Sequence, residues 1–83
     1  MNGTCTWRGT NPEGGARQGR SRYDAGSIAS ITEAYYRQGW RDLTVWLGWD
    51  PRGDEVAWIR TDPVDGTRTW WAEAAVRTQL EER

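Results

Sequence analysis

Residues 39–49 read GWRDLTVWLGW, and the predicted fold depends mainly on this segment. Every second residue in its middle is aliphatic, which predicts a β-strand with one side turned toward a core. The aliphatic residues are Leu43, Val45 and Leu47, and the other side carries Trp40, Thr44 and Trp46. The chain has seven Trp and no Phe, and six of the Trp lie between positions 40 and 71. These Trp either fill the core or form a surface that binds something.

A helix is predicted before this strand, over residues 26–38. Ile28, Ile31 and Tyr35 recur at helical spacing, with Ala34 beside them, and give one apolar stripe. Gly39 follows where a helix commonly ends in a left-handed residue. The sequence therefore predicts a helix that leads directly into the strand.

A hairpin is predicted after the strand. The turn DPRG, residues 50–53, has Pro at its second position and Gly where a positive φ is needed, which favours a type I turn with a Gly bulge. The resulting register pairs Leu47 with Ala57, Val45 with Ile59, Trp46 with Trp58 and Thr44 with Arg60. A slip of one residue would exchange the two sides of the sheet.

The last part of the chain predicts a turn, a strand and a short helix. Residues 62–66, DPVDG, form the turn, and residues 67–71, TRTWW, form a third strand rich in β-formers. Trp70 and Trp71 are adjacent, so they must point to opposite sides. From Ala72 onward a short helical stripe follows, and its acidic end opposes the helix dipole, which predicts fraying.

These elements predict an α+β fold in which an N-terminal helix packs on a three-stranded antiparallel meander, followed by a short C-terminal helix. The fold would occupy residues 24–83 as a single small domain. Residues 1–23 are rich in Gly and polar residues without helical or strand periodicity, a composition that disfavours ordering. We therefore predict that residues 1–23 are a disordered arm, with Trp7 as the one residue able to dock on the domain.

The predicted arm is basic and the predicted domain is acidic. Four Arg and one Glu give residues 1–23 a net charge of +3, whereas residues 24–83 carry −4, for a total of −1. All cationic residues are Arg, which is also typical of GC-rich genomes. A basic arm on an acidic body indicates either nucleic-acid contact by the arm or a solvated leader.

The composition disfavours catalysis, cofactors and metals. The chain has no His and no Lys, and Cys5 is its only Cys, so an internal disulfide and a Cys/His metal site are excluded. Cys5 lies in the predicted arm, away from an ordered cationic setting that would lower its pKa. We expect no enzyme activity, no cofactor and no metal. No apolar run approaches the ~18 residues of a membrane span, and no signal peptide is recognisable, so no membrane association and a cytoplasmic location are expected.

The chemistry that remains is a Trp- and Arg-bearing face of the sheet. Its predicted binding residues are Trp46, Trp58, Arg60, Arg68 and Trp40. Trp, Tyr and Arg are enriched at protein-interface hot spots, which favours a non-catalytic module that binds a host protein or a second copy of itself. The alternative is nucleic-acid binding by the three-stranded sheet and the basic arm, with bases stacked on Trp and phosphates on Arg. A third interpretation is that the face is covered and all the Trp are core.

Two resemblances bear on these alternatives. Residues 55–70 resemble the sheet of plant AP2-type and phage-integrase arm-binding domains, in which Arg and Trp project from strands, and this resemblance implies DNA binding. Residues 24–73 resemble small uncharacterised proteins of actinobacteria and their phages, with a Gly-Trp-Arg-x-Leu-x-Val strand and a Trp-Trp-Ala-Glu close. The matching residues are Gly39, Trp40, Arg41, Leu43, Val45, Thr69, Trp70, Trp71, Ala72 and Glu73. This second resemblance implies a phage or mobile-element accessory protein and no particular activity.

Overall fold

The structure is a computed structural model, and it describes residues 2–48 and 54–81. Five strands form one antiparallel sheet in the order β2-β1-β3-β4-β5. The elements in chain order are β1 (Asn2–Thr10), β2 (Ala16–Asp24), α1 (Ala25–Gln38), β3 (Asp42–Leu47), β4 (Glu55–Thr61), β5 (Arg68–Ala72) and α2 (Ala74–Glu81). Both helices lie on one side of the sheet, where α1 contacts α2, β2, β4 and β5.

The predicted fold class is therefore wrong. The prediction was an N-terminal helix on a three-stranded meander, but the sheet has five strands, and the two additional strands precede the helix. The segment predicted as a disordered arm forms β1 and β2, which pair over nine residues each. β1 also pairs with β3, so it is an interior strand of the sheet rather than an appendage.

Glycine made the N-terminal hairpin hard to recognise, yet two of its glycines have definite structural roles. Gly14 has a φ of +89° in the β1–β2 turn, where Asn11 Oδ1 accepts a hydrogen bond from the Gly15 N–H at 2.7 Å. Gly9 is buried in β1, and a Cβ atom there would lie 2.5 Å from the carbonyl oxygen of Asp42. A glycine inside a strand often marks such a close approach of another backbone rather than disorder.

Helix α1 agrees with its prediction to within one residue at its start, and its C-terminus is a Schellman motif. The Trp40 N–H donates to the Tyr35 carbonyl at 3.1 Å, and the Gly39 N–H donates to the Tyr36 carbonyl at 3.2 Å. Gly39 has a φ of +101°, as the motif requires. The accompanying apolar contact is a stack of Tyr35 on Trp40, with ring centroids 4.8 Å apart. Trp40 is thereby held on the helix side of the sheet, 8% exposed.

The β3–β4 register differs from the prediction by two residues. Val45 pairs with Ala57, and Leu43 with Ile59, and a bulge follows between Val45 and Trp46. Because a shift of two leaves the alternation unchanged, Thr44, Trp46, Trp58 and Arg60 lie on the side predicted for them, whereas Trp40, which precedes β3, does not. Leu47, which was predicted to face the core, is 47% exposed. The predicted turn at residues 50–53 lies outside the described residues.

The second predicted turn is confirmed. Asp62 accepts hydrogen bonds from the N–H groups of Val64 and Asp65, and Gly66 has a φ of +75°. Trp70 and Trp71 point to opposite sides, as predicted: Trp70 packs against the core and Trp71 does not.

The core lies between the sheet and the helices, on what we call the helix side. Its buried hydrophobic residues are Cys5, Ile28, Ala29, Trp40, Leu43, Val45, Val56, Ala57, Ile59, Ala72 and Val76. The opposite side of the sheet carries neither of the two described helices, and we call it the open face.

Candidate functional site on the open face

The open face is assembled from alternate residues of all five strands. Since Cys5, Trp7 and Gly9 point to the helix side, their neighbours in β1 point to the open face, and cross-strand pairing extends this assignment to the other strands. The open-face residues with described side chains include Thr6 and Arg8 of β1, Gln18, Arg20 and Arg22 of β2, Thr44 and Trp46 of β3, Trp58 and Arg60 of β4, and Thr69 and Trp71 of β5.

Three of these side chains form a stacked column on β4 and β5. The cross-strand partners Trp58 and Trp71 stack with ring centroids 5.9 Å apart and an interplanar angle of 23°. The guanidinium carbon of Arg60 lies 5.0 Å from the centroid of the Trp58 ring. Both Trp are partly buried by this packing. A column of this kind presents aromatic surface to a ligand with little loss of side-chain freedom on binding.

Arg60 is fixed by the sheet beneath it. Its Nη1 donates to Thr44 Oγ1 at 2.9 Å and to the Leu43 carbonyl at 3.0 Å, and its Nη2 lies 3.2 Å from Glu55 Oε2. The side chain is therefore held over Trp58 by hydrogen bonds to β3 and by an ion pair within β4. Its charge is partly offset by Glu55, so Arg60 supports the column more than it attracts a distant anion.

A second group of open-face residues lies on β1, β2 and β3. Arg20, Thr6 and Trp46 form one row across three adjacent strands. Thr6 is 8% exposed and donates from Oγ1 to the Gly48 carbonyl at 2.9 Å, so it lies low between its larger neighbours. A depression of about 420 Å³ adjoins this row; its lining residues are Thr6, Trp7, Arg8, Gln18, Gly19 and Arg20.

The open face is cationic although the chain is acidic. Among the open-face residues whose side chains are described, four are Arg and two are carboxylates. The Arg are Arg8, Arg20, Arg22 and Arg60, and the carboxylates are Asp42 and Glu55. Other acidic residues with described side chains lie in turns, next to strand or helix ends, or in α1: Glu13, Glu33, Asp54, Asp62, Asp65 and Glu73. The net charge of the chain therefore does not describe this surface.

Of the predicted binding residues, the structure brings Trp46, Trp58 and Arg60 together on the open face and leaves two elsewhere. Trp40 lies under α1, stacked on Tyr35. Arg68 points to the helix side, where its Nη1 donates to the carbonyls of Tyr36 and Trp40 at 2.8 and 3.0 Å. Its guanidinium carbon lies 4.7 Å from the centroid of the Tyr36 ring. Ligand binding by any of the five residues stays a prediction.

Sequence reasoning missed the contribution of Arg8, Arg20 and Arg22 to this face. The alternation in TCTWRGT, residues 4–10, could have predicted a strand here. In that strand Thr and Arg occupy one side, and Cys5 and Trp7 occupy the other. Arg20 and Arg22 of β2 are two residues apart, and their pairing with β1 places them on the same side as Thr6 and Arg8.

Cys5 is a core residue rather than part of an arm. It is 1% exposed, and burial raises the pKa of its thiol above the ordinary value of 9.0 against a smaller opposing effect of a backbone hydrogen bond from Ser21. A buried thiol of raised pKa is a poor nucleophile at neutral pH. In the described part of the chain, no group of three or more His, Cys, Asp or Glu residues could hold a metal ion.

Comparison of the chain with protein-family models, with curated proteins and with solved structures finds no match. Within residues 2–48 and 54–81, neither helix has the length and apolar character needed to cross a membrane. The geometry and charge of the open face are therefore the basis on which a function can be proposed.

Proposed function

We propose that this chain is a non-catalytic nucleic-acid-binding module and that the open face of its sheet is the binding surface. One observation carries the proposal: β1 pairs with both β2 and β3, so Arg8, Arg20 and Arg22 lie on the same face as Trp46 and the Trp58–Trp71 stack. Bases have apolar faces that stack on aromatic side chains, whereas phosphates attract Arg. The two halves of the face match these two parts of a nucleotide.

Charge placement removes the main objection to this function. A chain of net charge −1 would not attract phosphates if its charge were spread evenly. Most of the other acidic residues with described side chains lie in turns and beside helices, and among the described side chains of the open face Arg outnumber carboxylates by four to two. At physiological salt the Debye length is about 8 Å, so charges on the far side of the sheet are screened from a ligand on this face.

Binding can be tested by fluorescence anisotropy with labelled DNA and RNA at about 50 and about 200 mM salt, where phosphate contacts make affinity salt-dependent. If three Arg contact phosphates, affinity should fall about 20- to 40-fold across this range. Trp fluorescence of the protein should change on binding, because bases would stack on Trp of the open face. Absence of binding to every DNA and RNA probe at the lower salt would reject the function.

A second candidate function is protein binding, and the edges of the sheet favour it. β2 and β5 are the outer strands, so each has one side not paired within the described chain, and β5 also carries Trp71. An extended segment of a host protein, or a second copy of this chain, could add to such an edge. In β2 the residues Arg17, Arg20 and Arg22 would repel a second β2, which leaves β5 as the edge suited to self-pairing.

The protein-binding candidate predicts association that tolerates salt. Light scattering over a wide concentration range would detect a dimer, and Trp71→Arg should weaken it while leaving the fold intact. A constant monomer mass would reject self-association. An origin in phage or mobile elements and a cytoplasmic location are part of both proposals, since accessory proteins of that kind meet nucleic acids and host proteins there.

A further inference from the structure

The depression between β1 and β2 is suited to a phosphate group. Arg8 pairs with Gln18, so Arg20 is its diagonal neighbour on the next strand. Diagonal neighbours on one face of a sheet lie roughly 7–8 Å apart, which is within reach of two long side chains converging on one group. Arg presents its N–H donors in a planar fork that matches the oxygens of a phosphate. Both Arg line the depression, together with Gln18.

Trp46 lies close enough to this depression for a single nucleotide to contact both. It is separated from Arg20 by one strand, on which Thr6 is small and low. Two strand spacings are about 10 Å, and both side chains are long enough to reduce that gap. Trp58 is flanked by Trp71 and Arg60. Among the described residues no aromatic ring stacks on Trp46, and its side chain is partly exposed.

The width of the sheet argues against a duplex as the ligand. Five strands have four spacings, so the open face is about 19 Å wide, whereas the major groove of B-DNA is about 12 Å wide and admits an α-helix or a two-stranded ribbon. A three-stranded sheet, as the sequence predicted, would have been about 10 Å wide. In a duplex the bases are also stacked on one another, so their faces cannot stack on Trp side chains. An unpaired strand offers both its phosphates and its base faces.

We infer that the ligand of the open face is a single-stranded nucleic acid, with one phosphate in the depression between Arg8 and Arg20 and the adjoining base stacked on Trp46. The inference rests on the proposed function and specifies its ligand class. The next positions along the strand follow from the same geometry. Arg20 and Arg22 are about 6.6 Å apart in β2, a separation that suits successive phosphates of an extended strand.

The ligand class can be tested with three probes of about 12 nucleotides, a length within the usual range for single-strand binders. They are oligo(dT), the same backbone with abasic sites throughout, and a duplex of equal length. We expect oligo(dT) to bind at least about tenfold more tightly than the abasic strand, because each stacked base contributes to affinity. We expect the duplex to bind more weakly than oligo(dT). A duplex that binds as tightly, or an abasic strand that binds equally well, overturns the inference.

Variants test the two parts of the nucleotide site separately. Trp46→Ala should weaken oligo(dT) binding by about tenfold and leave abasic binding unchanged, and Trp46→Phe should restore most of the loss because Phe can still stack. Arg8→Gln should reduce the slope of log affinity against log salt by about 0.7 on both strands. Arg77→Gln is the matched control, since Arg77 is also exposed but lies on α2. Far-UV circular dichroism verifies that each variant is folded.

The two levels of proposal fail in different ways. If no nucleic acid binds at low salt, the proposed function is wrong and the inference falls with it. If nucleic acid binds but prefers duplex, or if Trp46→Ala binds oligo(dT) normally while folded, the function stands and the single-strand site is wrong. Equal effects of Arg8→Gln and Arg77→Gln would likewise reject the placement of the phosphate.

Discussion

The indole of Trp7 in β1 lies directly against Gly19 of β2, its cross-strand partner. A Cβ atom on Gly19 would be 2.6 Å from Cζ2 and 2.8 Å from Cε2 of the Trp7 ring. Trp7 also meets Trp40 edge to face, with centroids 6.1 Å apart. The ring therefore covers the position where the edge strand has no side chain, and it joins the N-terminal hairpin to the segment that follows α1.

We predict that Gly19→Ala destabilises the fold. The added methyl group must displace the Trp7 ring, which is held by Trp40, and overpacking of this kind typically costs about 1–3 kcal/mol. Urea unfolding monitored by Trp fluorescence measures the loss. Gln18→Ala, at the neighbouring exposed position, should change the free energy of unfolding by less than about 0.5 kcal/mol. Equal midpoints for the two variants would contradict the contact.

A larger change follows from the position of β1 inside the sheet. A fragment that lacks residues 1–24 loses two strands, the buried Cys5 and Gly9, and one of the two strands that pair with β3. We predict that this fragment does not fold, because the remaining chain is too small to bury a sufficient core. Far-UV circular dichroism and the dispersion of amide NMR signals measure this. A folded fragment of unchanged stability is the outcome expected for a disordered arm, and it would contradict the five-stranded sheet.

The Gly-rich composition of β1 and β2 obscured the fact that they are strands. The Gly-rich composition predicts a segment that cannot offset its ordering entropy, yet Gly9 and Gly19 are the positions where another backbone or an indole ring approaches closely. The apolar surface that stabilises the hairpin comes from the helix, from β3 and from Trp40, which are distant in sequence. The period of two in residues 4–10 carried the strand signal, whereas the composition of the whole segment indicated disorder.

On the open face, the alternation of side chains predicted the side of the sheet correctly even though the register was wrong. The predicted β3–β4 register was wrong by two residues, but Trp46 and Trp58 are on the same side as predicted because side chains alternate with a period of two. Arg68 follows the same rule: it is two residues from Trp70 in β5, so it lies with Trp70 on the helix side. Trp40 lies outside the rule, because it precedes β3 and is positioned by the end of α1. The hydrogen bonds from Arg68 to that same helix end cannot be inferred from the spacing within a strand.

The end of α1 provides a graded test. Gly39 has a φ of +101°, a conformation that L-residues rarely adopt, so Gly39→Ala should lower the free energy of unfolding by about 1 kcal/mol. Asn tolerates left-handed backbone better than Ala, so Gly39→Asn should cost less. Thermal unfolding of the two variants beside the parent protein measures the order. If Ala is tolerated as well as Asn, the Schellman motif does not limit stability.

Arg68 should affect stability and not ligand binding. Its Nη1 donates to two carbonyls at the C-terminus of α1, and hydrogen bonds of charged groups contribute about 1.5–3 kcal/mol. Arg68→Met keeps the aliphatic stem and removes these bonds, so we predict a lower urea midpoint. Because Arg68 points away from the open face, the variant should bind oligo(dT) as the parent does under folding conditions. A loss of affinity comparable to that of Arg8→Gln would place Arg68 in the binding site.

Cys5 should report on the opening of the fold. It is the single Cys of the chain and is 1% exposed, so a thiol reagent has one target, which it reaches only when the sheet and α1 separate. We predict that modification at neutral pH is slow and that its rate rises in urea in parallel with unfolding. Fast modification in native buffer would show that the hairpin opens independently of the rest of the fold.

Cys5 should also lower the free energy of unfolding at alkaline pH. Burial raises the pKa of the Cys5 thiol above its ordinary value of 9.0, so the unfolded chain releases this proton at lower pH than the folded chain does. The stability that depends on the neutral thiol is fully present below the unfolded pKa and is lost as the pH rises from there through the folded pKa. Cys5→Ala lacks this group, so its stability should fall less between pH 8 and pH 10. Urea unfolding of both proteins at each pH measures the difference. The two proteins share every other titrating group. Parallel pH profiles would therefore mean that the thiol ionises as readily in the folded protein as in the unfolded one.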